Sequence, residues 1–236
     1  MDGIINVYKP GGITSYDVIR IIKKEFNFKD KIGHGGTLDP IGEGVLILLF
    51  GRMTKLSNKF LNFDKEYIAE VLLGIKTDTD DIEGKIIEEK QIKNLNEERI
   101  IEVIKSFEGE TEQIPPFISA IKYKGKPLYK YYRKGIKIQP PPRKVIIKKI
   151  EILKIALPYI EFKVLCSKGT YVRSLCRDIG EKLGCGGTQN KLIRTKVGPF
   201  KIEDSVRIEN LKKYGIEKYL IYLDELLKIL KVESVI

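Results

Sequence analysis

Asp39 sits in the most unusual local setting of this 236-residue chain. It belongs to the run Gly33-His34-Gly35-Gly36-Thr37-Leu38-Asp39-Pro40, whose three glycines let the backbone approach a bulky ligand closely or take positive φ. Pro40 biases Asp39 towards an extended conformation and so presents its carboxylate from a loop. A carboxylate held in this way can serve as nucleophile, general base or metal ligand, or it can cap a turn before the proline. A second segment, Cys166-Ser167-Lys168-Gly169-Thr170-Tyr171-Val172-Arg173, joins a strand to a helix. The helix start offers free N–H groups, and Arg173 lies one step off the apolar face set by Val172 and Leu175. That places it towards an anion in a cleft, or in a surface salt bridge.

Other residue types exclude chemistry. His34 is the only histidine, so any Ser-His-Asp or Cys-His catalyst must be built around it. Cys166, Cys176 and Cys185 are odd in number and contain no C-x-x-C pair, which rules out a disulfide framework and a closed zinc site. Such cysteine usage suits a reducing cytosol, and a cytoplasmic location is expected. Neither G-x-x-x-x-G-K-[ST] nor G-x-G-x-x-G occurs, leaving nucleotide- or nicotinamide-dependent activity without support. The longest apolar run, Val45 to Phe50, is too short to span a bilayer, and the opening Met-Asp-Gly-Ile-Ile-Asn does not read as a signal peptide.

The composition bounds the partner. With 42% apolar and 9% aromatic residues the chain is long enough to bury a core as one large or two small domains. The 43 basic and 32 acidic side chains leave a net charge of +11, unevenly spread. Residues 61–113 carry 7 basic and 15 acidic groups, whereas residues 114–150 carry 11 basic and none acidic. This basic stretch also holds six of the ten prolines together with Phe117, Tyr123, Tyr129, Tyr131 and Tyr132. Cations interleaved with aromatics suit nucleic acid, through phosphate pairing and stacking on unpaired bases; the same pattern suits a solvated loop whose rings pack into its own core.

The elements that must position these groups alternate strand and helix. Ser15 is expected to cap a helix running to about Phe26, with Val18, Ile19, Ile22 and Phe26 on one face. Val45–Phe50 reads as a buried strand that holds the glycine loop still. Tyr67–Leu73, Val145–Leu153 and Tyr159–Cys166 also read as strands. A helix follows Asn96 with Ile100, Ile101, Ile104 and Phe107 on one face. Thr170 is expected to cap another, with Val172, Leu175, Ile179 and Leu183 inward and Gly184 closing it. Lys218–Leu230 reads as an amphipathic tail helix. No internal repeat is visible, and the expected class is α+β.

Taken together, these segments resemble the bacterial TruB family of tRNA pseudouridine synthases. Asn6-Val7-Tyr8-Lys9-Pro10 with Gly12 and Thr14-Ser15 is similar to the family's K-P-x-G-x-T-S opening, and Gly33 to Val45 to its G-H-x-G-T-L-D-P loop. Lys65-Glu66-Tyr67 resembles the K-x-Y strand, and Thr77-Asp78-Thr79-Asp80 with Gly84 the T-D-T-x-D-x-x-G turn. Gln113-Ile114-Pro115-Pro116 with Ser119-Ala120 and Lys122 resembles Q-x-P-P-x-x-S-A-x-K. Cys166 to Arg173 matches C-S-x-G-T-Y-x-R, and Arg194 to Phe200 matches R-T-x-x-G-P-F. The seven motifs occur in the family's order over nearly the whole length.

The resemblance implies a pseudouridine synthase fold, with a mixed, mostly antiparallel central sheet flanked by helices and loops. It implies a catalytic domain over residues 1–205 and a helical extension over 206–236. The chain stops about where the family's C-terminal PUA-type module would begin, so a short form without that module is expected. The implied reaction isomerises the T-loop uridine 55 of tRNA without metal or cofactor. Asp39 is the implied catalytic carboxylate, attacking ribose C1′ or removing the C2′ proton. Tyr67 stacks under the target base, Arg173 ion-pairs with the aspartate, Tyr171 and Leu192 line the uracil pocket, and His34 contacts the RNA. Residues 114–150 correspond to the loop that grips the T arm. A monomer that needs neither guide RNA nor membrane is expected. A non-catalytic tRNA-binding folding factor, or a synthase for another RNA, is the alternative. One departure stands out: Gly42-Glu43 replaces the family's usual Ala-Thr, placing an acid beside the loop.

Overall fold

The computed structural model describes residues 1–232. In chain order the strands and helices begin with β1 (Gly3–Lys9), α1 (Ser15–Glu25), β2 (Ile32–His34), β3 (Glu43–Phe50), α2 (Ser57–Leu61) and β4 (Lys65–Leu73). There follow β5 (Ile75–Thr77), β6 (Ile86–Glu89), α3 (Glu97–Lys105), β7 (Gly109–Gln113), β8 (Lys122–Tyr123), β9 (Lys126–Pro127) and α4 (Leu128–Tyr132). The last are β10 (Arg143–Ala156), β11 (Tyr159–Cys166), α5 (Val172–Lys182), β12 (Gly187–Val197), β13 (Phe200–Lys201), β14 (Val206–Arg207), α6 (Ile208–Tyr214) and α7 (Leu223–Leu230). The described residues gather into two compact units, residues 1–67 with those from 192 onward and residues 68–191, so that the chain passes between them within β4 and β12. Helices and loops flank a mixed, mostly antiparallel sheet, as an α+β chain requires.

In the first unit β1 lies antiparallel to β3 from Gly3↔Phe50 to Lys9↔Gly44, with β2 on the far side of β3 and β14 parallel to β1. The end of β12 runs parallel to β3 at Ile193↔Glu43 and Arg194↔Gly44. Strand residues alternate between faces, and here both faces are covered. Leu46, Leu48 and Phe50 pack with Ile5, Val7, the α1 residues Val18, Ile19 and Ile22, and the later Val206, Ile208 and Leu211. Val45, Ile47 and Leu49 turn the other way, onto Met53, Phe60, Phe200 and Leu226. Burial on two sides is why this strand reads as an unbroken apolar run.

In the second unit β10 pairs antiparallel with β11 and β7. Ile160, Phe162, Val164 and Cys166 are buried, as the alternation predicts. On β10 the inward set jumps from Ile147 to Ile150 because the register slips between Ile147 and Lys149. The two cysteines on β11 and α5, and Cys185 after them, are buried free thiols.

Several expectations about elements need correction. Thr14, not Ser15, caps α1: its side chain accepts from the Asp17 N–H while Asp17 reaches back to the Thr14 N–H, a capping box. Thr170 does not cap α5; Tyr171 holds that position, and the Thr170 hydroxyl donates to the Ser167 carbonyl at 2.9 Å. In α3, Ile101 faces solvent and Phe107 lies past the helix end, while Val103 joins Ile100 and Ile104 inside. The tail is not one helix from Lys218. Ile221 exchanges two 2.9 Å backbone hydrogen bonds with Ile4, a pairing that needs extended chain, so α7 starts only at Leu223. No helix among the described residues is long and apolar enough to cross a membrane.

Candidate active site

The loop from Gly35 to Gly42 carries Asp39 half-buried, with Leu38 tucked into the interior. Almost nothing in it pairs with itself. The Gly35 N–H donates to the Ile47 carbonyl at 2.8 Å, and the Gly42 N–H to the Asp39 carbonyl at 3.0 Å. Gly36 adopts φ of +142°, a conformation that disfavours any residue with a side chain. The rest of the loop is held by three side chains from distant parts of the sequence.

Arg194, only 2% exposed, lies beneath the first half. Its guanidinium donates to the carbonyls of Gly36 at 3.1 Å, Thr37 at 3.0 Å and Val45 at 2.7 Å. Each carbonyl is met by a different nitrogen of the planar fork, an arrangement that a single ammonium nitrogen would not reproduce. Lys9, fully buried at the end of β1, holds the second half. Its ammonium donates to the carbonyls of Pro10 at 2.8 Å, Ile13 at 2.6 Å and Pro40 at 3.1 Å. Burial, reinforced by the nearby Arg194 cation, pulls the Lys9 pKa from 10.5 to about 8, against the opposing pull of Asp39, Glu43 and Asp17. Between the two cations the buried Ser15 hydroxyl accepts from the Leu38 N–H at 2.9 Å and donates to the Leu38 carbonyl at 3.1 Å. This role, and not capping, occupies Ser15.

His34 lies on β2, half-buried, and its Nδ1 accepts from the Gly36 N–H at 3.4 Å. Burial and then the Arg194 charge lower its pKa below the usual 6.5, so at neutral pH it is an uncharged imidazole with Nε2 protonated. Glu43, the acid that departs from the family pattern, accepts the Tyr8 hydroxyl at 2.6 Å. The Arg207 guanidinium lies 4.5 Å above the same ring. Glu43 is therefore engaged by a neighbour on β1.

Tyr67 is buried on β4, on the same face as Lys65, whose ammonium holds the carbonyls of Phe60, Leu61 and Phe63 and so fixes the turn before the strand. Leu192 is buried two residues before Arg194 on β12. In the second unit Tyr171 starts α5, and its backbone is held at both ends by the buried Gln113 side chain, at 2.7 and 3.0 Å. Arg173 is a buried residue with defined partners rather than a surface one. It donates to Asp81 Oδ2 at 3.2 Å and to the carbonyls of Thr79 at 3.2 Å and Ile118 at 3.1 Å.

The sequence gives no positioning role to Lys9, Asp81, Gln113 or Arg194, although each lies in or beside a quoted motif, and it gives Ser15 a different one, as a helix cap. The available signal was a polar or charged residue inside a stretch that otherwise folds inward: Lys9 closes the apolar run of β1, and Arg194 follows Leu192 and Ile193.

Comparisons with known proteins give the chain's family. Residues 23–172 match the TruB family pseudouridylate synthase N-terminal domain, and residues 173–233 the tRNA pseudouridylate synthase B C-terminal domain. A protein named tRNA pseudouridine synthase B from Clostridium tetani is 52% identical over 94% of this chain and 76% of its own length. One of the same name from Endomicrobium trichonymphae is 45% identical over 89% of this chain and 91% of its own. Among solved structures, a Cbf5-Nop10-Gar1 complex aligns with a TM-score of 0.71 and 35% identity over 92% of this chain. An H/ACA RNP bound to a substrate RNA containing 2′-deoxyuridine aligns with 0.72 and 30% over 96%. This chain spans 57% and 61% of those two proteins. Two adjoining family matches thus cover residues 23–233, relatives of 45–52% identity cover most of the chain, and the chain belongs to the TruB family of pseudouridylate synthases.

Proposed function

We propose that this protein isomerises the T-loop uridine 55 of tRNA to pseudouridine, with Asp39 as the reacting carboxylate. The observation that supports this most is the loop itself: Arg194, Lys9 and Ser15 fix its backbone on both sides of Asp39 and so set the point from which the carboxylate extends. Preorganisation of this kind favours a reaction whose demand is placement. The isomerisation breaks the N1–C1′ bond, turns the base and joins C5 to C1′; the proton leaving C5 is matched by one gained at N1. It needs no redox partner and no energy source. The uridine must leave the T-loop stack to reach the carboxylate. The resemblance assigns contacts with the RNA to Tyr67, Tyr171, Leu192 and His34 and a charge-balancing role to Arg173. Lys122, Lys124, Lys126, Lys130, Lys134 and Lys137, all exposed, supply the phosphate contacts along the T arm. The relatives' names support tRNA as the substrate.

A guide-free T-arm stem-loop, incubated with the protein and digested to nucleosides, tests the reading. Pseudouridine should appear at uridine 55, and Asp39→Asn should abolish it while still binding the RNA. No product from the wild-type protein would leave an RNA-binding factor or another substrate as the answer. Product from Asp39→Asn would remove Asp39 from the chemistry.

Lys9 makes the activity sensitive to alkaline pH. Between about 8 and 10.5 the unfolded chain keeps this proton and the folded chain does not, so the stability contributed by this group rises with pH. The fold is kept while the loop loses its charged anchor at Pro40. Turnover should therefore decline as pH rises through about 8, with no parallel fall in the urea midpoint. Lys9→Met should show lower turnover and lack that limb of the profile.

A further inference from the structure

The basic stretch between Gln113 and Arg143 has little regular structure of its own: the two-residue strands β8 and β9 and the five-residue helix α4. Its aromatics mostly serve each other. Tyr123 and Tyr131 meet edge to face at 5.9 Å, the Tyr131 hydroxyl donates to the Tyr123 carbonyl at 3.1 Å, and Arg133 lies over the Tyr129 ring at 5.6 Å. Most of the side-chain hydrogen bonds described between the stretch and the rest of its unit lead to one acidic turn. Between β5 and β6 the chain places Asp78, Asp80 and Asp81 together, and each connects to a different point of the stretch.

Asp81 pairs with Arg173, whose other amino group holds the Ile118 carbonyl at 3.1 Å. Asp80 pairs with Arg177 at 2.9 Å, and Arg177 in turn donates to the Ile114 carbonyl at 3.0 Å, where the Ser174 hydroxyl also donates at 2.9 Å. Asp78 is met directly: the Tyr132 hydroxyl at the end of α4 donates to Oδ2 at 2.5 Å. The other Asp78 oxygen accepts the Lys85 N–H at 2.8 Å, so the carboxylate is fixed from behind by its own turn.

The inner two anchors are arginines that hold backbone carbonyls near the root of the stretch. The third is a single phenol, half-buried, fourteen residues beyond Ile118. We propose that Tyr132 is a positioning residue: its hydrogen bond to Asp78 clasps the far part of the stretch to the turn and presents the lysines of residues 122–137 in one arrangement for RNA. Arg173 and Arg177 define the hinge about which the stretch moves when the clasp opens. This inference rests on the proposed tRNA activity for its consequence but not for its structural part. A hydrogen bond to a carboxylate is one of the stronger protein hydrogen bonds, and a preordered surface binds with less loss of freedom than a mobile one.

Tyr132→Phe removes the donor and keeps the ring. Hydrogen exchange by mass spectrometry on the free protein should show about ten-fold faster exchange across residues 119–139, with residues 143–166 unchanged. On T-arm RNA the same variant should raise KM by about ten-fold and leave kcat within about two-fold, a split that a general loss of folding would not produce. Tyr132→Ala should match or exceed both effects. Unchanged exchange in Tyr132→Phe would overturn the clasp. Faster exchange with a lowered KM would show that the docked stretch obstructs RNA, and would overturn the presenting role. Absence of product from the wild-type protein would refute the proposed activity instead, with the exchange experiment still deciding the clasp.

Discussion

Arg194→Met should lower both stability and turnover by more than any substitution that leaves Asp39 in place. The methionine fills much of the volume but has no donor, so the carbonyls of Gly36, Thr37 and Val45 lose their shared partner in a dry site. Each buried acceptor left without its donor costs roughly 1–3 kcal/mol, so three carbonyls together cost roughly 3–5 kcal/mol. For a chain of this length that corresponds to a drop in Tm on the order of 10 °C. The loop would also lose its register beneath Asp39, and a displacement of about 1 Å at a reacting group costs on the order of a hundred-fold in rate. Arg194→Lys separates the two effects. The ammonium preserves the charge but cannot stand at the positions of Nε, Nη1 and Nη2 together, so much of the stability should return while turnover stays low. Urea denaturation and single-turnover kinetics on the same preparations check this; a lysine variant with wild-type turnover would show that charge alone suffices.

Gly44→Ala should be nearly as damaging, through the backbone. Gly44, the second residue of β3, has φ of +100° and pairs with Arg194 on β12. A methyl group there would sit 2.3 Å from the Arg194 carbonyl oxygen and 3.1 Å from its nitrogen, and neither is a flexible chain end that can swing away. The positive φ adds about 1–2 kcal/mol for a residue with Cβ, and overpacking against backbone about 1–3 kcal/mol, so a loss of roughly 3 kcal/mol or more is expected. Relief requires β3 and β12 to separate where Arg194 reaches under the loop. Activity should fall with stability, and the double variant Gly44→Ala/Arg194→Met should be less than additive because both act on the same contact. Strict additivity in urea midpoints would show that the two positions act independently.

Reading the sequence reached the elements before their details. The two-residue period of Tyr159–Cys166 and the unbroken apolar run of Val45–Phe50 predict strands because side-chain burial alone dictates those patterns. Capping was harder to read, since Thr14 and Ser15 are both competent and what separates them is the hydrogen bonding of Leu38, twenty-three residues away. The tail failed for a similar reason: from Lys218 its residues suit a helix, but pairing of Ile221 with Ile4 overrides local preference. At the site, Asp39 stands out because glycines and a proline mark its loop. Arg194 and Lys9 do not, because a cation's value here lies in carbonyl oxygens supplied by other segments, which no local pattern encodes. Glu43 looked like an intruder beside the loop until Tyr8 supplied its partner.

The route of the chain through β4 and β12 has a consequence for the order of assembly. Residues 68–191 form one continuous stretch with contacts of its own, whereas the first unit needs residues from both ends of the chain. Arg194 closes onto Thr37 across 157 residues of sequence. At synthesis rates of about 10 residues per second, the Asp39 loop leaves the ribosome roughly 15 seconds before its anchor does. Long-range closure of this kind is also slow on refolding, because chain entropy is lost before the contact forms. The Asp39 loop is thus made early and anchored late, so a nascent or truncated chain ending before β12 has Asp39 without Arg194 beneath its loop.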